Sequence, residues 1–560
     1  MESVHLRKRK PDEVDDDLRE NPVGGSPENS KRARGQSVMT LDEAAKAINV
    51  LWESKCKPGD AAFPNLIKHT HVAIQTLRRV LRDHTANSAT NGTTKKIVAN
   101  MMESGFEKRL FFLLDLNRYY KDTDYDEKIG FIQFEAAWCL TNIASTHADA
   151  IMESTELLDI LGRAITTSKY VLVREQSIWC VSNLVCQGGR KRSEFRNAIT
   201  NHPEILKGIH MNIASPECVK ILRTSIWAFG NCARSSRPPE LPFSKIHDSL
   251  EEILSAYGIA LVDKNLKSHD KKLLVNGILK TLGQIMIHHH EAVEVVGKSP
   301  NFISQTLAVL KGARLSKNVE ILTRALHCIG VLLSDGGTFM NETEEMEFFM
   351  ESKYLLSESG NCVLNEVCWC LASLVDSCVA RRHAEFSKLC LRGVVNLAAN
   401  ATIWKTKKEA CLALFKFLQQ SDHNCHIYFF SNGNGIQTLC DTVETTKNFD
   451  AEVCLEALNA IEALLRVDQT HDERLSVRER LLEHHGVRNM ERLIDHPLDD
   501  LSNKAEFIID EFFGTDENEA GESFFDAPAE GDGSYGFGLK ASLYSNRASG
   551  LRENSSTFLR

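Results

Sequence analysis

A helix carrying one tryptophan and one asparagine recurs along this 560-residue chain at a nearly constant spacing. Its clearest copies are FEAAWCLTNIAS around Trp138, REQSIWCVSNLVC around Trp179 and RTSIWAFGNCARS around Trp227. In the weaker copies the tryptophan position is held by Lys280, His327, Trp369 and Leu412. Successive copies are 41, 48, 53, 47, 42 and 43 residues apart. A chain that repeats one unit in this way is not a set of unrelated globular domains.

The period agrees with armadillo and HEAT repeats, which have roughly 40 to 47 residues and two or three helices each. One such unit cannot bury its apolar face alone, so neighbouring units stack and leave a long surface lined by the same helix of every repeat. We therefore predict an all-α fold, an armadillo-repeat right-handed superhelical solenoid. It should cover residues 70–513 with about ten repeats.

The two ends of the chain differ from the repeats in composition. Residues 1–36 combine eight Lys/Arg with eight Asp/Glu, and residues 514–560 contain seven glycines and eight acidic residues against four basic ones. Such segments bury too little apolar surface to fold alone. We expect residues 1–60 to be an N-terminal arm and linker and residues 514–560 an acidic, Gly-rich tail, with both tails disordered.

Charge and hydropathy exclude several classes of function. The formal net charge is −10, which argues against nucleic-acid binding because phosphate contacts need a clustered basic surface. The chain has no apolar run of the roughly 18 residues that cross a bilayer, so we expect no membrane insertion. Its 16 cysteines are scattered through apolar segments, as reduced thiols of intracellular proteins are.

The tryptophans and asparagines pair at a fixed offset. Three of the six tryptophans have Asn at i+4, which places indole and amide on one helix face. Asn is a poor residue for a helix interior, so its amide should have a partner. Stacked repeats would form a ladder in which Asn amides bond an extended peptide backbone and Lys or Arg stems lie between indoles. The alternative for any single tryptophan is core packing.

These segments, together with QTLRRVLRD and HHGVRNMERLIDHPLDDLSNKAEFIIDEFFGTDENE, resemble the importin alpha (karyopherin alpha) family over roughly residues 70–519. That family binds nuclear localisation signals. The resemblance implies a major signal-binding site made of Trp138, Asn142, Ser145, Gln176, Trp179, Asn183, Trp227 and Asn231. At the positions where the family holds the signal's critical lysine with Asp and Thr, this chain has Gln187 and Ile151, which offer no charge pairing.

The resemblance also implies a minor site in later repeats, and this site is degraded. Trp369 and Glu409 remain. Its other positions are changed to Val331, Ser373, Leu412 and Lys416. Because Lys416 would repel a cationic peptide, we expect a weak or absent minor site.

The arm segments LRKRKPDEVDDDLREN and SKRARGQ resemble the family's importin-beta-binding segment, which also folds back on the groove. The basic residues implied in carrier binding and autoinhibition are Arg7, Lys8, Arg9, Lys10, Lys31, Arg32 and Arg34. The acidic residues of the arm cancel this charge, so an exposed targeting tail or linker is the alternative. The end segment, with Phe507, Phe512 and Phe513, resembles the family's site for the export receptor and nucleoporins, or it only caps the solenoid.

No pattern of residues indicates catalysis. Gly297-Lys298-Ser299 lacks the earlier glycine of a phosphate-binding loop, His288 to His290 are adjacent rather than convergent, and Cys368 and Cys370 are not a CxxC pair. We expect no enzyme activity, metal or cofactor.

The sequence predicts a nuclear import adaptor that links cargo bearing Lys/Arg-rich signals to importin beta. Such a protein would shuttle between cytoplasm and nucleus through the nuclear envelope pores. The alternatives are a diverged armadillo scaffold without a transport role, in cytoskeletal or germ-cell structures, and a catenin-like adhesion or signalling protein.

Overall fold

The computed structural model describes residues 39–54, 56–85, 91–120, 125–186, 191–234, 241–334, 339–376, 379–431, 434–470 and 476–514. Gln187, the basic residues of the arm and the tail beyond residue 514 lie outside these ranges. Within them every regular element is helical, and no helix combines the length and hydropathy needed to span a bilayer.

The helices in chain order are α1 (Leu41–Glu53), α2 (Phe63–Thr85), α3 (Asn91–Glu103), α4 (Glu107–Leu114), α5 (Leu116–Tyr119), α6 (Asp126–Met152), α7 (Glu156–Thr167), α8 (Val171–Cys186), α9 (Arg192–Asn201), α10 (Pro203–Ala214), α11 (Val219–Ala233), α12 (His247–Val262), α13 (Ser268–His288), α14 (His290–Lys298), α15 (Phe302–Leu315), α16 (Val319–Ser334), α17 (Glu342–Glu358), α18 (Asn361–Val375), α19 (Ala380–Leu389), α20 (Leu391–Asn400), α21 (Trp404–Gln420), α22 (His423–Ser431), α23 (Gly435–Thr446), α24 (Ala451–Thr470), α25 (Val477–Glu483), α26 (Gly486–Glu491) and α27 (Asp499–Phe513). A 3-10 turn, Phe243–Lys245, precedes α12.

Side-chain caps define where some helices begin. At α1 the Thr40 side chain accepts a hydrogen bond from the Glu43 amide, and the Glu43 carboxylate accepts one from the Thr40 amide at 2.8 Å. These bonds lower the pKa of Glu43. Asn341 and Glu344 form the same reciprocal cap on α17. Each cap satisfies amide groups that have no partner within the helix, and a cap of this kind typically contributes about 1 kcal/mol.

The chain divides into two units, of which the first is Met1–Phe512, and two rows of stacked helices organise the described residues of this first unit. In the ladder row, each helix packs on the next in the order α2, α6, α8, α11, α13, α16, α18, α21 and α24. In the second row the order is α4, α7, α10, α12, α15, α17, α20, α23 and α26. All seven positions of the tryptophan motif lie on the ladder row, so the repeat seen in the sequence is the structural repeat.

The packed region begins earlier than the sequence indicated. The expected linker within residues 1–60 contains helix α1. This helix contacts α2 and α4, and its residues Ala44, Ile48 and Leu51 are buried. The boundary is corrected to residue 41, because α1 covers apolar surface that α2 would otherwise expose. The second unit, Phe513–Arg560, lies outside the described residues apart from its first two.

The core between the rows is apolar and contains most of the cysteines. All 15 cysteines within the described ranges are free thiols, as expected for reduced core cysteines. Several of them link ladder helices: Cys328 Sγ donates to the Leu279 carbonyl at 3.1 Å, and Cys370 Sγ donates to the Leu326 carbonyl at 3.2 Å. These contacts join each helix to the preceding one in the row and help to fix the stacking that positions the motif residues.

Candidate peptide-binding site

The three motif tryptophans are half-buried on consecutive ladder helices, but their surroundings differ. The rings of Trp179 on α8 and Trp227 on α11 have centroids 6.2 Å apart at 87°, an edge-to-face contact. Trp138 on α6 contacts Phe134, with centroids 5.4 Å apart. Trp179 and Trp227 are therefore in contact along the ladder row, and their role in binding a peptide stays a prediction. An aliphatic stem could enter between these two rings only if the indoles moved apart.

Arg78 of α2 stacks on Trp138. Its guanidinium carbon lies 4.1 Å from the ring centroid, and its Nε forms an ion pair with the Glu135 carboxylate. The side chains are 11% and 6% exposed, so the pair is largely desolvated. The first indole thus already has a cation on one face, contributed by the chain itself. Sequence reasoning placed Arg78 in a family-like segment but assigned it no role.

Two of the three ladder asparagines donate to the neighbouring ladder helix. Asn183 Nδ2 donates to the Thr141 carbonyl at 3.1 Å, and Asn231 Nδ2 donates to Ser182 Oγ at 2.8 Å. Asn142 Nδ2 is buried and has no hydrogen-bond partner among the described residues. The amide partner inferred from the sequence is therefore partly supplied from within the chain. Asn183 is half-buried, so its Oδ1 can still accept a hydrogen bond from a peptide amide, whereas Asn231 is only 4% exposed.

Thr141 and Ser182 were missed by the sequence reasoning, although the motif contains a signal for them. Both precede the ladder asparagine, so the fuller pattern is Trp-x-x-(Thr/Ser)-Asn. In the third copy this position is Gly230, where an added Cβ would lie 2.9 Å from Thr281 Oγ1. A small or hydroxyl residue is required there because the next ladder helix packs directly against it.

Gln176 and Ser145 are used internally. Gln176 is 5% exposed, and its Nε2 donates to Thr141 Oγ1 at 2.9 Å. Ser145 is half-buried and donates through Oγ to the Asn142 carbonyl at 2.8 Å. Gln176 thus links α6 to α8, whereas the hydrogen bond of Ser145 stays within α6.

The expected lysine pocket needs a correction. Ile151 is fully buried, so it faces the core and not a peptide. Backbone angles at His147 (φ −139°, ψ 45°) interrupt α6 four residues before Ile151. The buried acidic residues of this region are paired within the chain, Glu135 with Arg78 and Glu175 with Lys220 at 2.9 Å.

The minor-site positions are mostly buried. Trp369 is 8% exposed and packs against His327, with ring centroids 5.6 Å apart. Val331 and Leu412 are buried too, and Ser373 donates to the Trp369 carbonyl at 3.1 Å. Glu409 is half-buried on α21. The face therefore presents little aromatic surface here.

The charge of Lys416 is balanced within the protein. Its Nζ lies 3.6 Å from Asp376 Oδ2 and 3.4 Å from Glu456 Oε1. These two carboxylates reduce the repulsion that the sequence led us to expect between Lys416 and a cationic peptide.

At the end of the ladder row, α27 packs beside α24. Phe512 is 2% exposed and acts as a core residue, whereas Phe507 is 41% exposed and lies beside Arg466, 5.7 Å from guanidinium carbon to ring centroid. A shallow depression here is lined by Leu455, Asp500, Asn503, Lys504 and Phe507. Helix α27 thus covers the end of the core with Phe512 and also exposes the aromatic ring of Phe507.

The adjacent histidines do not form a metal site in the structure. Burial, with nearby His289 and the Arg234 and Arg196 cations, lowers the pKa of His288 to about 4. His289 is buried against the Ala233 carbonyl at 3.1 Å from Nε2. Among the residues described, no three His, Cys, Asp or Glu side chains are grouped so that they could hold a metal ion.

Both relatives found by comparison with known proteins are importin alpha subunits of plants. No family model matches the chain. It is 21% identical over 429 residues to importin subunit alpha-8 of Arabidopsis thaliana, covering 74% of this chain and 86% of that protein. It is 23% identical over 176 residues to importin subunit alpha-1b of Oryza sativa subsp. japonica, covering 29% of this chain and 32% of that protein.

One solved structure shares the fold over most of the chain. The crystal structure of an engineered protein superposes with a TM-score of 0.60 at 16% identity, covering 84% of this chain and 98% of the other. A designed armadillo repeat protein in complex with the peptide (KR)4 matches with a TM-score of 0.37 over 47% of this chain. The predicted all-α armadillo solenoid is confirmed.

Proposed function

Because the chain is a divergent member of the importin alpha family, we propose that it is a non-enzymatic adaptor for protein import into the nucleus. The ladder face of α6, α8 and α11 binds a Lys/Arg-rich localisation signal. The N-terminal arm, through Arg7 to Lys10 and Lys31 to Arg34, recruits importin beta. The protein then shuttles between cytoplasm and nucleus.

The observation that carries this proposal is the paired arrangement of Trp179 with Asn183 and Trp227 with Asn231. The two indoles are half-buried and adjacent, and each asparagine is held by a bond from its Nδ2 to the preceding ladder helix. The half-buried Asn183 is held in place while its oxygen can still accept a bond, which makes it a preorganised site for a peptide backbone. The indole faces supply cation–π attraction for Lys or Arg.

The exposed part of α27 supports a second contact. Phe507 projects beside the acidic Asp500 on the same helix. In the proposed adaptor this helix is where an export receptor and nucleoporins bind.

A second candidate is an armadillo scaffold that has lost signal binding. Arg78 on Trp138 and Lys220 on Glu175 favour it, since both place the chain's own cations where a signal would bring them. In this case neither a basic peptide nor importin beta would bind. The catenin-like alternative predicts preference for an acidic peptide over a basic one.

The deciding experiment is fluorescence anisotropy of a labelled lysine-rich signal at physiological salt. The full chain should bind weakly alone and more tightly when importin beta removes the arm. Trp179→Ala with Asn183→Ala should lower the affinity at least about a hundredfold, as loss of an anchoring aromatic and its bonded neighbour does at peptide sites. Thermal melting should remain cooperative.

Trp404→Ala is the matched control, because this indole lies at the start of α21 against Phe449 and outside the ladder positions. It should leave signal affinity unchanged. If the signal binds neither to the full chain alone nor to the full chain with importin beta, the adaptor function is rejected and the scaffold is favoured. Unfolding of the Trp179→Ala, Asn183→Ala variant would instead show that these residues are core residues.

A further inference from the structure

Helix α17 of the second row carries a regular series of side chains on its outer face. Every fourth residue belongs to this series, so its members lie one above the other along the helix: Glu342, Met346, Met350, Tyr354 and Glu358. All five are exposed, and the three central side chains are 36%, 38% and 40% exposed. We call these five residues the α17 stripe. Its centre is apolar, and both of its ends are acidic.

The apolar centre of the α17 stripe is not needed for the core. The inner face of the helix already supplies the core contacts, because Phe348, Phe349 and Leu355 are buried. The outer face of an amphipathic helix is normally polar. A cluster of exposed apolar side chains, in contrast to a single one, marks a surface that contacts another molecule.

The neighbouring helix α15 extends this apolar surface. Leu315 at its C-terminal end is 69% exposed, and Arg314 next to it lies on Tyr354, 4.6 Å from guanidinium carbon to ring centroid. Arg314 Nε also donates to Glu351 Oε2 at 2.7 Å, so its charge is balanced and it holds the tyrosine ring. One turn earlier, an added Cβ on Gly312 would meet no atom within 4 Å. No side chain therefore blocks the approach to the α17 stripe at that position.

The glutamates at the two ends of the α17 stripe are only weakly paired. Glu342 Oε1 lies 3.7 Å from Arg381 Nε, and Glu358 Oε2 lies 3.9 Å from Arg314 Nη1. Both distances are near the limit for an ion pair, and both arginines pair more closely with glutamates that are buried. Each end of the stripe therefore keeps a carboxylate that can pair with a cation of a partner.

The spacing of the α17 stripe indicates what a partner must supply. Glu342 and Glu358 are 16 residues apart, which is about 24 Å along a helix. Helices commonly pack with their i±4 rows side by side. A partner helix packed in this way needs three apolar residues at successive fourth positions and a Lys or Arg at each end. Glu347 and Lys353, on opposite sides of the stripe, offset each other.

The charges argue against two other occupants. If two copies of this chain met through the α17 stripe, glutamates would face glutamates at both ends in either orientation of the helices. Like charges that face each other across an interface are unfavourable. The same carboxylates are repelled by the negative surface of a membrane that contains anionic lipids.

We propose that the α17 stripe binds a basic amphipathic helix of another protein. The apolar centre supplies affinity, and the two terminal glutamates select the charge of the partner. The contact is independent of the proposed signal-binding function, because the stripe lies on the second row and the Trp–Asn motif lies on the ladder row. The protein can therefore hold a helical partner and an extended signal at the same time.

Fluorescence anisotropy with two designed peptides tests the proposal. The lysine probe is a labelled 20-residue helix of Ala and Gln that carries Leu at three successive fourth positions and Lys at both ends of that series. The glutamate probe has Glu in place of the two Lys. The full chain should bind the lysine probe at least about tenfold more tightly than the glutamate probe. Salt at 1 M should remove most of this difference.

Single substitutions locate the binding surface. Met350→Gln should weaken binding of the lysine probe at least about fivefold, because it places a polar side chain in the apolar centre. Met211→Gln is the matched control, since Met211 is an exposed methionine of α10 in the same row of helices, and it should leave the affinity unchanged. Trp179→Ala with Asn183→Ala should also leave it unchanged, which excludes binding of the probe at the ladder.

Charge reversal tests the role of the two ends. Glu342→Lys with Glu358→Lys should make the glutamate probe the tighter ligand, and thermal melting should stay unchanged because both positions are exposed. The proposal is wrong if the two probes bind equally, if the full chain binds neither, or if Met350→Gln has no effect. It is also wrong if sedimentation velocity shows a dimer that Met350→Gln dissociates, since a second copy would then be the occupant.

Discussion

Trp138 differs from Trp179 and Trp227 because it contacts a guanidinium of its own chain. Arg78 lies on the ring and pairs with Glu135, and both charged side chains are nearly buried. Removing two charges from water costs several kcal/mol for each ion, and only good geometry between the partners compensates for that cost. The pair therefore depends strongly on both members, and it holds the indole in place.

We predict that Glu135→Gln destabilises the protein by roughly 3 kcal/mol, since it leaves the Arg78 guanidinium buried without a counter-charge. Urea unfolding followed by circular dichroism would measure the change. Arg79→Gln, at the exposed position next to Arg78 on α2, is the control and should change stability by less than about 0.5 kcal/mol. An unchanged midpoint for Glu135→Gln would mean that Arg78 pairs elsewhere.

At the scale of helices, close approach decides which motif tryptophan is exposed. Gly330 of α16 faces Trp369 of α18, and an added Cβ would lie 2.3 Å from Trp369 Cζ3. The glycine thus allows the two helices to pack closely and lets Trp369 sink into the interface. This packing explains why Trp369 shares the motif position of Trp179 but not its exposure.

We predict that Gly330→Ala destabilises the protein by about 1 to 3 kcal/mol, because the indole has to move out of a packed interface. Tryptophan fluorescence during urea unfolding would report both stability and the altered ring environment. Gly312→Ala in α15 is a matched control, since an added Cβ there meets no atom within 4 Å.

The control substitution at Gly312 should stabilise by about 0.5 to 1 kcal/mol through the backbone entropy of the unfolded chain. If Gly330→Ala and Gly312→Ala change the stability equally, the Trp369 indole moves aside without any loss of stability.

At the scale of the whole molecule, the stacked rows separate two classes of cysteine. Cys218 and Cys362 are exposed, whereas burial raises the pKa of the Cys232, Cys328 and Cys440 thiols to about 12. The thiolate is the reactive form, so a pKa near 12 leaves about one thiolate in ten thousand at pH 8. Burial also removes access for a reagent.

We predict that iodoacetamide at pH 8 modifies Cys218 and Cys362 in the native protein and reaches Cys232, Cys328 and Cys440 only after unfolding. Peptide mass spectrometry over a time course would measure each site. The same reaction in urea is the control and should label all five. Early labelling of Cys328 would reveal local opening of the repeat around α16 and contradict the stable core described above.

Local sequence was sufficient to identify the repeat, because the spacing of the motif and its i+4 pairing are properties of single helices. It therefore predicted the all-helical armadillo fold, the row of motif helices and the adjacency of Trp179 and Trp227. It did not predict the bonds from Asn183 to Thr141, from Gln176 to Thr141 and from Arg78 to Glu135, which join residues 42, 35 and 57 positions apart.

Only the tertiary structure decided those contacts, and with them the burial of Ile151 and Trp369. The physical reason is that stacking brings together faces from different repeats, so a side chain's partner depends on the residues of the next helix. A pattern within one helix shows which residues share a face. It does not show whether that face is left for a peptide or occupied by the chain itself.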